Sequence, residues 1–238
     1  MAGGGPVLSS LHLRFSGRTH QLCIRALPDD DNARCLSRGT GTIVTPVPKG
    51  DSLFLSINQF AVDTPWLHTP ARLFASDGIL LFALLLVIAW WRARAMGNRL
   101  VAASLLAPVA TVVAFGVQQL IVMFVHEARP YAVHPSALVL VSRTTDPSFP
   151  SDHACVTAAI AVGLLFANRR LGYAAAVGAV LMAVTRLYVG AHWPIDVVAG
   201  LLVGTLVSWG VMFALRGPAT RLVAKLGETA LRPLVAAA

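Results

Sequence analysis

The sequence predicts an all-α integral membrane protein: a polytopic helix bundle of about five transmembrane spans with an N-terminal interfacial helix. Three observations predict it. Hydrophobic residues make up 56% of the 238-residue chain and charged residues 13%, with a mean hydropathy of +0.68. The apolar residues gather in long unbroken runs near the ~17 residues a span needs, not in the alternation of strands. The basic residues cluster in the gaps that a serpentine path would bring to one membrane side. The net charge of +8 fits cytoplasmic loops beside anionic headgroups. No basic-aromatic motif accompanies it, so nucleic acid is not an expected partner. Three cysteines do not make a disulfide framework. Cys155 falls in an apolar run as a small core residue, and Cys23 and Cys35 could pair if exported.

Residues 1–50 hold Gly and Pro clusters, the acidic run Asp29-Asp30-Asp31 and scattered arginines, without apolar periodicity. They read as a disordered extension, or as sequence upstream of a later translation start near residue 47 or 53. The first residues lack the basic start and apolar core of a cleavable signal peptide. From Asp51 to Thr69 the pattern Leu53-Phe54, Ile57, Phe60-Ala61, Trp66-Leu67 is amphipathic and predicts a helix lying in the interface. Spans are expected over Phe74–Trp91, Leu100–Val125, His153–Ala167, Leu171–Tyr188 and Ile195–Leu215. The membrane domain is thus 51–215, and 216–238 a basic cytoplasmic tail.

Arg92, Arg94, Arg99, Arg169, Arg170, Arg216, Arg221, Lys225 and Arg232 fall on one side, nine of the chain's 19 basic residues. Arg129, Arg143 and Arg186 fall on the other, which positive-inside places outside the cytoplasm. The basic N-terminal stretch would also lie outside, which long extensions tolerate.

Three stretches carry ionisable residues where hydrocarbon is expected. In Thr185-Arg186-Leu187-Tyr188-Val189-Gly190-Ala191-His192-Trp193-Pro194-Ile195-Asp196, Pro194 suits the first position of a new helix. His192 then lies just before that helix and Asp196 in its first turn, able to orient the imidazole. Arg186 offers a planar fork for phosphate oxygens. The bland alternative is a buried polar cluster tying two helices together. In Phe149-Pro150-Ser151-Asp152-His153, Ser151 is placed as an N-cap, and the first turn behind it suits an anion. His153 could donate a proton to a leaving oxygen, or simply sit at the interface. In His126-Glu127-Ala128-Arg129-Pro130-Tyr131, Arg129 could clamp phosphate. Glu127 is either its partner or a solvated interface residue. The topology brings all three stretches to one membrane face.

Together these stretches resemble the type-2 phosphatidic acid phosphatase superfamily, whose signature is Lys-x6-Arg-Pro, Pro-Ser-Gly-His and Ser-Arg-x5-His-x3-Asp. The chain has Arg129-Pro130, Pro150-Ser151-Asp152-His153 and Thr185-Arg186-x5-His192-x3-Asp196. Val122 stands at the family lysine, Asp152 at the glycine and Thr185 at the serine. The string Asp146-Pro147-Ser148-Phe149-Pro150-Ser151-Asp152-His153, with Ser56-Ile57-Asn58 and His134, is similar to the undecaprenyl-diphosphatase (bacitracin-resistance) branch, where that lysine is often absent. The resemblance implies His192 as a phosphohistidine-forming nucleophile, Asp196 orienting it, and His153 as general acid. Arg129, Arg186, Ser151 and Asp152 would bind phosphate. It implies no metal or cofactor, no obligate protein partner, and a polyprenyl or phospholipid phosphate substrate held in the bilayer. The expected protein is a multi-pass cell-membrane phosphatase with an extracytoplasmic site, acting on undecaprenyl diphosphate, or alternatively on phosphatidate or phosphatidylglycerophosphate. A non-catalytic lipid-binding or flipping protein is the rival class, and a soluble haloperoxidase is disfavoured by the spans.

A single cysteine placed between Tyr131 and Ser148 should react with an impermeant thiol reagent in intact cells, and one beside Arg169 should not. Reversed labelling would overturn the extracytoplasmic assignment.

Overall fold

The computed structural model describes residues 14–15, 21–24, 34–37 and 50–236, in two units, Met1–Lys49 and Gly50–Ala238. In the first unit, β1 (Arg14–Phe15), β2 (Gln21–Ile24) and β3 (Arg34–Ser37) pair antiparallel in that order, with Leu22 opposite Leu36. These ten residues fall within the stretch expected to be a disordered extension. The rest of 1–49, and the alternative start near residue 47, lie outside the described residues.

The second unit is helical, as the composition predicts. Gly50, at φ +114°, turns the chain into α1 (Asp51–Asp63). Phe54, Asn58 and Ala61 face inward at helical spacing, while Leu53, Leu55, Phe60 and Val62 stay exposed. This is the expected interfacial helix, but shorter. A tight turn at Pro65–Leu67 leads into α2 (His68–Asp77), which bends by 53° into α3 (Ile79–Ala93). The first span was expected to start at Phe74. It breaks instead at Gly78, where a Cβ would lie 2.3 Å from the carbonyl of Phe74.

Four further helices follow: α4 (Asn98–Phe124), α6 (Asp152–Ala167), α7 (Arg169–Tyr188) and α8 (Pro194–Leu226), with the short α5 (Pro130–Val133) after α4 and α9 (Arg232–Val235) at the end. Among the described residues α4, α7 and α8 are long and apolar enough to cross a membrane, and the bent α2–α3 pair would be a fourth span. The helix α6, with 16 residues, is shorter than that and surrounded. About 24 Å long at 1.5 Å per residue, it is flanked by α3, α4, α7 and α8. The helix α8 continues past residue 215, where the membrane domain was expected to end. It runs on through Pro218, and its 33 residues make it about 50 Å long, well beyond a ~30 Å hydrocarbon core.

Small residues let these helices approach closely. Ala107 and Ala114 of α4, Cys155, Ala159 and Gly163 of α6 and Gly200 and Gly204 of α8 lie in the seam. Ser208 donates to the Ala159 carbonyl at 2.9 Å across it. The outer face of α8 shows Val198, Leu202, Leu206, Trp209 and Phe213 to lipid. In consequence the end of α4, the start of α6, the end of α7 and the start of α8 meet at one end of the bundle. Arg92, Arg99, Arg169 and Arg170 lie at the other helix ends.

A Cβ on Gly204 would lie 2.1 Å from the Cys155 carbonyl, whereas nothing lies within 4 Å of one on Gly210. Gly204→Ala should therefore lower stability in detergent by about 1–3 kcal/mol. Gly210→Ala should be neutral or slightly stabilising. Thermal unfolding of the two variants side by side checks the seam.

Candidate active site

The junction of α7 and α8 is built around a turn at Gly190, φ +76°, where any side chain would collide with the Leu138 carbonyl. Trp193 then caps α8, Pro194 takes its first position and Asp196 falls in the first turn, as the sequence predicts. Asp196 is fully buried. One carboxylate oxygen accepts the Trp193 N–H at 2.8 Å and the Ser148 hydroxyl, and lies 3.5 Å from Nδ1 of His192.

His192 is itself buried, and its Nδ1 lies 2.9 Å from the Ser148 carbonyl. A carbonyl only accepts, so the neutral ring carries its proton on Nδ1 and leaves a lone pair on Nε2. The expected orienting role of Asp196 is thus shared. The ring donates its Nδ1–H to the carbonyl of Ser148, a residue outside the expected site, and Asp196 holds Ser148. Arg186 reaches Nε2 through Nη2 at 3.4 Å and donates from Nη1 to the Ala75 carbonyl at 3.4 Å, while its Nε has no partner among the described residues. The His192 pKa is lowered, by burial first and also by Arg186 and Arg129, against the opposing hydrogen bond and charge of Asp196. A neutral imidazole results, as a nucleophile requires.

Arg129 leaves the end of α4 in an extended conformation just before Pro130. It donates to Asp146 through Nη2 at 3.1 Å and Nε at 3.0 Å, and to the Ala191 carbonyl at 3.2 Å. His153 and Asp152 open α6. The Asp152 carboxylate accepts from the His153 backbone N–H at 2.8 Å, pairs with its Nδ1 at 2.9 Å, and stands 4.0 Å from Nε2 of His192. Asp152 was expected among the phosphate-binding residues, and its carboxylate here faces His153. A carboxylate offers phosphate no donor, and this one is bonded to His153. Ser151 makes no side-chain cap bond. Its buried hydroxyl has no partner among the described residues, and its N–H is taken by the Asp196 carbonyl at 3.0 Å. With the His153 N–H also taken, the helix start offers an anion fewer donors than expected, and the Ser151 hydroxyl becomes the more available one.

Two clefts of about 270 and 240 Å³ flank this cluster and share Arg129, Asp146 and Asp152. His153 and Arg186 line the first, His192 the second. Val122 lines the second cleft, so the position of the family lysine is at the site and is apolar here. Gln118 lines it too, donating to the Pro150 carbonyl at 2.9 Å. Glu127 has no ion-pair partner among the described residues; partial burial first, then the charge of Asp196, raises its pKa. No group of His, Cys, Asp or Glu among the described residues is arranged to hold a metal.

Residues 100–217 match the PAP2 superfamily. The chain is 33% identical over 157 residues to putative undecaprenyl-diphosphatase YbjG of Escherichia coli (strain K12), covering 65% of this chain and 77% of that one. It is 30% identical over 131 residues to undecaprenyl-diphosphatase BcrC of Bacillus subtilis (strain 168), covering 55% of this chain and 66% of that protein, just under two thirds of its length. In fold it is similar to the crystal structure of Aquifex aeolicus LpxE, with a TM-score of 0.51 and 24% identity over 68% of this chain and 93% of that one.

The lowered His192 pKa places the acid limb of kcat/KM below the ordinary histidine value of ~6.5. Arg186→Gln removes a cause of the lowering and should move that limb up in pH. Asp196→Asn removes the group favouring the charged ring and should move it down, with a lower plateau. pH profiles of phosphate release from the three proteins check the signs.

Proposed function

Because the chain belongs to the PAP2 superfamily, in its undecaprenyl-diphosphatase branch, and is a membrane phosphatase, we propose that it hydrolyses undecaprenyl diphosphate to undecaprenyl phosphate and phosphate through a phosphohistidine. The observation that carries this reading is the buried His192, with Nδ1 committed to Ser148 and Nε2 beside Arg186 and Asp152. In the first step Nε2 of His192 bonds to the terminal phosphorus and the bond to the bridging oxygen breaks. That oxygen, on the departing lipid phosphate, takes a proton from His153. In the second step a water oxygen bonds to phosphorus, its proton passes to His153, and the N–P bond breaks to free phosphate. Arg129, Arg186 and the Ser151 hydroxyl stabilise charge on the transferring oxygens. Asp196, 3.5 Å from Nδ1, offsets the positive charge that phosphorylation puts on the ring.

The lipid tail stays in the bilayer while the headgroup enters the clefts. The end bearing them lies opposite Arg92, Arg99, Arg169 and Arg170, which supports an extracytoplasmic site. Relatives named for this substrate favour it over phosphatidate and phosphatidylglycerophosphate.

The test offers purified protein all three lipids side by side and follows phosphate release, with undecaprenyl diphosphate expected as the best substrate by kcat/KM. His192→Ala should lower turnover by about a thousandfold or more. It should also abolish an acid-labile, base-stable phosphoprotein trapped from the wild type. Retention of a tenth of wild-type turnover by His192→Ala would rule out the covalent route.

A further inference from the structure

The phosphoryl group of that mechanism has a direction. His192 lines one cleft and His153 the other, and the phosphate ligand Arg129 is common to both. In-line displacement puts the leaving oxygen on the far side of phosphorus from the nucleophile. The leaving group therefore occupies the cleft of His153. In a diphosphate that group is itself a phosphate, carrying charge that needs a cation of its own. Arg186 and Arg129, the inner cations, already serve the terminal phosphoryl group.

A candidate for that cation, Arg143, is not itself among the side chains lining the His153 cleft, but it stands between two that are. Ser142 and Thr144 line the cleft, with Ser76 across from them on α2, and all three are exposed. Arg143, between Ser142 and Thr144, is exposed as well. Its guanidinium carbon lies 5.5 Å from the centre of the Tyr131 ring, and Tyr131 also lines the cleft. The Tyr131 hydroxyl accepts the Thr144 N–H at 2.9 Å and donates to the Thr144 carbonyl at 3.0 Å, fixing this strip of backbone. Among the described residues Arg143 has neither a carboxylate partner nor a hydrogen bond, unlike Arg129 with Asp146. An arginine braced on an aromatic ring keeps its planar donors for a ligand. The other cleft has Gln118, Gln119, Val122 and prolines along its wall and no cation besides the shared Arg129.

We propose that Arg143, with the hydroxyls of Ser142 and Ser76, binds the second, lipid-linked phosphate of a diphosphate substrate and so selects diphosphates over monophosphates; the Thr144 hydroxyl already donates to Asp146. This rests on the reading of the same site as a phosphatase with His192 as nucleophile and His153 as acid.

The test compares wild type, Arg143→Gln and Arg143→Lys in detergent micelles. Calorimetry gives Kd for methylenediphosphonate and for inorganic phosphate, and kinetics give kcat/KM for a prenyl diphosphate and the prenyl monophosphate of the same tail. Arg143→Gln should weaken methylenediphosphonate binding about tenfold, the loss of one charge-assisted contact, and leave inorganic phosphate within about twofold. Arg143→Lys should recover part of the loss. The diphosphate should lose kcat/KM through KM, and the monophosphate should not. Equal weakening of both anions, or no change in either, overturns the proposal. Failure of the wild type to release phosphate from any lipid diphosphate would instead overturn the functional reading, and the binding comparison would still decide the role of Arg143.

Discussion

A carboxylate with no exposure to solvent holds the site together. Burying an ionised Asp196 is costly, and the partners fall on one oxygen, Oδ2, which gathers the N–H that opens α8, the hydroxyl of Ser148 and the edge of the His192 ring, while Oδ1 has no partner among the described residues. Those three groups come from two distant stretches of chain. The bond to Ser148 fixes the carbonyl of the same residue, and that carbonyl selects the tautomer of His192. Removing the charge would loosen the helix start, the loop before α6 and the His192 ring together.

That convergence depends in turn on how closely α6 and α8 approach. The Asp196 carbonyl accepts the Ser151 N–H at 3.0 Å, which needs the two helix starts side by side. Gly200, one turn further along α8, faces the Ser151 carbonyl where a Cβ would come within 2.4 Å. Packing by small residues thus sets the distance between the histidines as well as stability. On the outer side α1 steadies the loop that covers the site. Asn58 donates to and accepts from the backbone of Leu138, at 2.8 and 3.0 Å, and Asp51 pairs with His134.

The proposed mechanism asks opposite chemistry of the two histidines, a lone pair from one and a transferable proton from the other. Their surroundings differ accordingly: His192 is sealed and flanked by arginines, whereas His153 is partly exposed and bonded to Asp152. The glycine of the family signature at that position could not provide this carboxylate, which pairs with His153 and also stands 4.0 Å from Nε2 of His192.

The sequence by itself determined the helical membrane class, because long apolar runs have few alternatives in a bilayer. It also determined that Arg129, His153, Arg186, His192 and Asp196 share one face, since alternating spans return their ends to the same side. The placing of Pro194 before Asp196 was legible from helix-start chemistry alone. The break at Gly78 and the continuation of α8 to Leu226 were not, because hydropathy measures apolar length and not where a backbone bends or how far a helix projects. Neither the role of Ser148 nor that of Asp146 could be read, as both act through contacts with residues distant in the chain. Asp152 differs: its carboxylate bonds the side chain of the next residue, His153, a local contact within the first turn of α6. Local sequence decides where a helix begins and which groups it carries; the tertiary packing decides which acceptor each donor meets, and that choice sets the chemistry.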